Sequence, residues 1–227
     1  VESSLAAYPY LLGSLAIAAA AAASVALQHA SLRHSAALAA LLAAPFTLVS
    51  LDYASYWHPS RLGGLPLGLE DLLLSVSSGV FLWTLPAMLS SRRLEISIQW
   101  KIVLRRYLLI TLAGAGLVGI CRFFGLSASF SLATAMAAIS LGILTHSAAY
   151  WRLALAGCLS FLGLYLTILN CVWAAFPSFI SEWNWAGLCG ITLMGIPLEE
   201  VCWAAGYGAV WPLMMACVLQ ARIQQPG

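Results

Sequence analysis

Long apolar runs, each of about 18–24 residues and none alternating with polar positions, recur along nearly the whole chain. A helix rises 1.5 Å per residue, so about 20 such residues cross the hydrocarbon of a bilayer. Lipid solvates no unpaired backbone group, so only helices or closed barrels span it. The missing alternation selects helices. Composition agrees: 62% of the 227 residues are hydrophobic and 8% are charged, against roughly 25% charged in a soluble domain. The chain therefore reads as an all-α integral membrane protein. A net charge of +2 gives nucleic acid no basis for binding.

Seven spans can be drawn, at 6–28, 36–51, 68–89, 107–124, 127–145, 153–175 and 197–220. The second is short. No basic stretch precedes the first, so it reads as a retained span and not a signal peptide. With the N-terminus outside, Arg33, Arg92, Arg93, Lys101, Arg105, Arg106, Arg152 and Arg222 face the cytoplasm, and Arg61 and Arg122 face outward. That bias fixes the orientation and leaves the C-terminus cytoplasmic. The expected location is a bacterial or archaeal cell (inner) membrane. The charged stretch 90–106 mixes basic residues with Leu, Ile and Trp, and an interfacial helix on the cytoplasmic leaflet is expected there.

Four of the eight carboxylates sit in two copies of one pattern. Gly68-Leu69-Glu70-Asp71 opens span three, and Pro197-Leu198-Glu199-Glu200 opens span seven. Gly79 follows Glu70 by nine residues, and Gly208 follows Glu199 by nine. Tyr56-Trp57-His58-Pro59 precedes the first pair, and Trp183-Asn184-Trp185 precedes the second. These matches suggest two parallel three-helix repeats joined by a connector helix. Residues 1–89 form the first repeat (spans one to three). Residues 90–125 hold the basic loop and connector span four, and residues 126–227 form the second repeat (spans five to seven). Segments 57–67 and 185–196 are apolar but too short to cross, so they read as interfacial or re-entrant approaches to the acids.

Acids at a helix start are favoured by the exposed amide dipoles, which alone gives them a structural reason. The pairing supports a second reading. Adjacent residues on a helix point about 100° apart, so one carboxylate of each pair can face inward while the other supports it. Inward acids in an apolar pocket do not all ionise, and a protonated acid beside an ionised one is an acid/base couple. Arg122 either holds one acid ionised or reaches headgroup phosphate. Trp57, Trp185, Trp203 and Tyr207 are candidate substrate-binding aromatics, whose faces stabilise a cation. Tyr56 and Trp183 lie at the same level. Trp and Tyr also form ordinary interface belts. His58 lies near the acids, as a loop residue or a proton relay. The six cysteines contain no CxxC and read as buried small hydrophobes, so no metal site is expected.

The stretch Gly190–Trp203, GITLMGIPLEEVCW, resembles the membrane lycopene cyclase domain family, whose members carry a Pro-x-Glu-Glu type motif at the start of a span after a Gly-rich approach. The stretch 56–74 matches less well, with Gly68 where the proline falls and Asp71 for the second glutamate. The resemblance is to the fused, two-unit form of the family. It implies a cofactor-independent isomerisation (an intramolecular lyase of the carotenoid cyclase type) in which a carboxylic acid protonates a terminal double bond of an acyclic carotenoid, a ring closes and a base removes a proton. Carried over, the catalytic candidates are Glu199, Glu200, Glu70 and Asp71, with a carotenoid or other isoprenoid lipid and the membrane lipids as partners. Two other readings stay open. One is a non-catalytic accessory subunit of a larger respiratory or photosynthetic membrane complex that binds carotenoid, quinone or lipid. The Ala-rich stretch 16–26 would pack closely against such a partner. The other is a transporter or proton pathway.

Overall fold

Helices follow the apolar runs closely in the computed structural model, which describes residues 8–89 and 94–223. The seven are α1 (Pro9–Ala26), α2 (Ala30–Ala43), α3 (Leu69–Leu89), α4 (Trp100–Phe123), α5 (Ala128–His146), α6 (Trp151–Ala175) and α7 (Leu198–Val218). With the extension of α2 described below, seven helical segments among the described residues are long and apolar enough to cross a membrane. The protein is an all-α, multi-pass membrane protein.

Local chemistry explains several boundaries. Pro9 starts α1, where its missing N–H would be unpaired in any case. Beyond α2 the chain tightens into a 3₁₀ helix, Ala44–Ser55. Pro45 lacks the N–H that would continue the α-helical ladder at that point. A 3₁₀ helix rises about 2.0 Å per residue, so these residues reach about 24 Å where an α-helix would reach about 18 Å. The short second span gains its length in this way, over Leu32–Asp52. The Ser127 hydroxyl accepts the Phe130 N–H and caps α5.

The charged stretch differs from expectation. Trp100–Arg106 forms the first turns of α4 and not a separate interfacial helix. Leu94–Glu95 is a short strand, β1. Arg92 and Arg93, counted in the orientation reading, lie outside the described residues. The approach to α7 is a hairpin of β2 (Thr192–Leu193) and β3 (Ile196–Pro197). Met194 and Gly195 form its two-residue turn, with φ of 53° and 80°. Positive φ at both positions is the turn geometry that matches strand twist. A side chain at Gly195 would also strike the Trp173 ring, about 2.3 Å from an added Cβ. The cysteines are all free thiols, but none is fully buried, and Cys171 and Cys189 are exposed.

The chain divides into two compact units, and α3, α6 and α7 contribute to both. The first unit runs to Phe81 and adds Gly163–Val201. Within it α1 packs on the end of α6, with Gly13 against Ile168 and Val172. The second unit holds Leu82–Leu162 and continues from Cys202. Its core contains Trp83, Phe161, Leu153, Trp211, Leu213 and Met215, each almost wholly buried. There α6 and α7 touch backbone to backbone: a Cβ on Gly208 would stand 2.7 Å from the Gly157 oxygen. The chain after α7 turns back as β4 (Arg222–Ile223), antiparallel to β1. The Arg106 guanidinium and the Tyr150 hydroxyl donate to the carbonyls of Cys217 and Ala221 and secure this end. In α4 only Val103 and Tyr107 are buried, so this helix presents most of its surface outward.

Candidate functional site

Both acid pairs belong to the first unit, each in the first turn of its helix. All four carboxylates are buried, with Glu70 and Asp71 at 0% exposure, Glu199 at 3% and Glu200 at 4%. Burial at that level requires partners for each oxygen or a functional reason for their absence.

The second acid of each pair is fully engaged. Asp71 accepts from Arg61 through Nε (2.7 Å) and Nη2 (3.0 Å), from the Gly68 N–H (2.7 Å) and from the Tyr10 hydroxyl (3.0 Å). This is the two-pronged guanidinium–carboxylate geometry that fixes orientation as well as charge. Burial works against the charge on Arg61, but the bond to Asp71 outweighs it, and the guanidinium is held more firmly protonated than usual. Glu200 accepts from the Tyr165 hydroxyl (2.7 Å) and the Trp183 indole N–H (3.2 Å).

The first acid of each pair is half engaged. Glu70 Oε1 accepts the Leu62 N–H (2.6 Å), and Glu199 Oε1 accepts the Cys189 N–H (2.6 Å). The other oxygen of each, Oε2, is buried with no hydrogen-bond partner among the described residues. Each approach segment thus supplies one backbone N–H to the first acid of its own helix.

Gly68 has a local reason to replace proline. Its N–H binds Asp71, and a Cβ there would fall 2.2 Å from Glu70 Oε2. Proline offers no N–H.

Aromatic rings link the two pairs. Tyr10, bonded to Asp71, meets Trp57 edge to face at 4.8 Å. Trp57 stacks on Trp183 at 6.2 Å, and Trp183 bonds Glu200. The two tryptophans also form an antiparallel backbone bridge. The flanking bonds are reciprocal: His58 N–H donates to the Glu182 carbonyl (2.8 Å), and Asn184 N–H donates to the Tyr56 carbonyl (2.7 Å). The Ser60 N–H adds a bond to Glu182 Oε1 (3.1 Å). Burial raises the Glu182 carboxyl above its usual range, opposed by the Ser60 bond and by Arg61.

The remaining candidates divide. Trp185 is exposed and donates to the Ile180 carbonyl. Trp203 and Tyr207 belong to the second unit, stacked at 5.5 Å, each with its edge or face toward Phe161. With Trp211 they recur every four residues on α7, in the row that Glu199 begins. Arg122 is exposed in the last turn of α4, also in the second unit. Among the described residues Arg61 is the cation paired with Asp71, and the sequence reading left it in an outside loop. Tyr10 and Tyr165 were likewise missed, because nothing in their local sequence sets them apart from other apolar-span tyrosines.

Residues 125–218 match the family model of lycopene cyclase. The match spans α5, α6 and α7 with Glu199 and Glu200, and it bears out over that segment the resemblance read from the Gly190–Trp203 motif. No curated protein and no solved structure matches the chain.

Proposed function

From the lycopene cyclase match across α5–α7, we propose that this protein closes a ring at the end group of an acyclic carotenoid by acid/base catalysis. The observation that carries the reading is the buried, unpartnered Oε2 of Glu199, with its counterpart on Glu70. A protonated Glu199 keeps its carbonyl oxygen on the Cys189 N–H and carries its proton on Oε2, where no described residue claims it. Donation to a terminal double bond forms a new C–H bond and a tertiary cation. The neighbouring alkene supplies the electron pair that closes the six-membered ring. The carboxylate of Glu199 or Glu70 then takes a ring proton, and the ring alkene forms. One proton enters and one leaves, so the reaction is an isomerisation with no redox partner.

Asp71 and Glu200 have supporting roles in this scheme. Asp71 is tied to Arg61 and keeps the first turn of α3 in place. Glu200 is anchored by Tyr165 and Trp183. The face of Trp57, in the same unit as the acids, suits an electron-poor intermediate. The matched bonding of Glu70 and Glu199, and the reciprocal bonds around Trp57 and Trp183, support two parallel repeats, spans one to three and five to seven, joined by α4. The two tyrosines depart from this symmetry, since Tyr10 comes from α1 and Tyr165 from α6. The orientation proposed is N-terminus outside and C-terminus cytoplasmic, with both pairs at the outer ends of their helices.

Expression in a lycopene-accumulating host, followed by pigment chromatography, tests the activity. Cyclised end groups are expected from the wild type. Unchanged lycopene in the presence of folded protein would overturn the reading.

A further inference from the structure

Part of the alanine-rich run of α1 lines a groove that the ring-closure scheme does not use. Between α1 and α3, in the first unit, lies a groove of about 500 Å³. Ala22, Val25 and Ala26 line one side, and Val76 and Val80 line the other. Small side chains on α1 leave this space open. A volume of that order matches ordinary small-molecule sites.

One lining residue is charged. Arg33, in the first turn of α2, borders the groove and is exposed. Its Nε donates to the Gln28 carbonyl (3.1 Å) and its Nη2 to the Ala26 carbonyl (3.3 Å). Those two bonds fix the guanidinium just past the end of α1. Its Nη1 edge makes no bond among the described residues. Among the described residues no carboxylate lines the groove.

We propose that this groove binds an anionic phospholipid, with an acyl chain along the Ala/Val walls and the phosphate on Arg33. A hydrocarbon such as a carotenoid would fill the walls but leave the guanidinium without a counter-ion. Phosphate matches its planar fork. The pairing of an apolar slot with one cation at a helix end is what a lipid at the headgroup boundary requires. The orientation proposed above sets Arg33 on the cytoplasmic side, where anionic lipids concentrate.

The test uses the full chain, purified in detergent and examined by native mass spectrometry. Phosphatidylglycerol and phosphatidylcholine of identical acyl chains are the probes. The wild type should retain phosphatidylglycerol over phosphatidylcholine by about five-fold, the contribution expected of one basic side chain. Arg33→Gln should abolish that preference, and Arg33→Lys should retain most of it. Ala22→Leu, which narrows the slot, should lower retention of both lipids. Equal retention of the two lipids by the wild type overturns the proposal. So does a preference that survives in Arg33→Gln, or a slot that takes lycopene in place of either lipid. Gel filtration of each variant separates loss of binding from loss of fold. Added inorganic phosphate should leave lipid retention unchanged, and displacement by it would assign the site to a free anion.

Discussion

Among the described residues, Glu70 and Glu199 each leave one buried oxygen unpartnered, while Asp71 and Glu200 leave none. Adjacent acids on the same turn therefore have unlike chemistry. Glu199→Gln preserves the acceptor for Cys189 but removes the proton donor. Cyclised product should fall by about 100-fold or more, the usual contribution of a positioned acid, with the protein still folded by gel filtration. Retained activity would reassign the donor. Asp71→Asn acts differently, because it leaves Arg61 facing a neutral group. A loss of about 2 kcal/mol is expected, below the full figure for a wholly buried pair, and a thermal melt in detergent measures it. Gly68→Pro should destabilise as well, since it removes the N–H that Asp71 uses. The sequence pattern marks Gly68 as a departure from the family, and the structure explains it as a partner of Asp71.

Pairs of elements carry the next set of consequences. The two approach segments meet at Trp57 and Trp183 through backbone bonds, with Glu182 beside the bridge. The Glu182 carboxyl titrates higher in the folded protein than in the unfolded chain. A raised value favours the protonated form on folding. Its stabilising contribution is fully present below the unfolded value, about 4.3, and is lost as pH rises through the folded value. Glu182→Gln should therefore melt at a higher temperature than the wild type at pH 7, and the gap should close toward pH 4. A gap that widens on acidification would contradict this sign. At the α6–α7 crossing, Gly208→Ala meets backbone and not a movable side chain, with Cys158 Cα at 2.9 Å. A cost of about 1–3 kcal/mol follows from overpacking. Pigment yield in the same host and a thermal melt should fall together.

For the molecule as a whole, the spans, their count and the helical class were legible in the chain, because lipid permits so few backbone arrangements. A C-terminal reporter fusion should be active only when the reporter matures in the cytoplasm, and the opposite result would invert the proposed orientation. The candidate acids were legible too, since a carboxylate pair is conspicuous in an apolar sequence. Their inequality was not. It depends on Tyr10, Arg61 and Tyr165, which lie 61, 10 and 35 residues from the acids they bind. It also depends on single backbone N–H groups of Leu62 and Cys189 in loops whose path no periodicity reports. Helix positions follow from local hydrophobicity, which each residue carries by itself. A carboxyl oxygen's partners follow from where distant segments return, and folding alone decides that. The sequence thus determined that two acid pairs begin two spans, and the tertiary structure decided which acid in each pair is tied and which oxygen has no partner among the described residues.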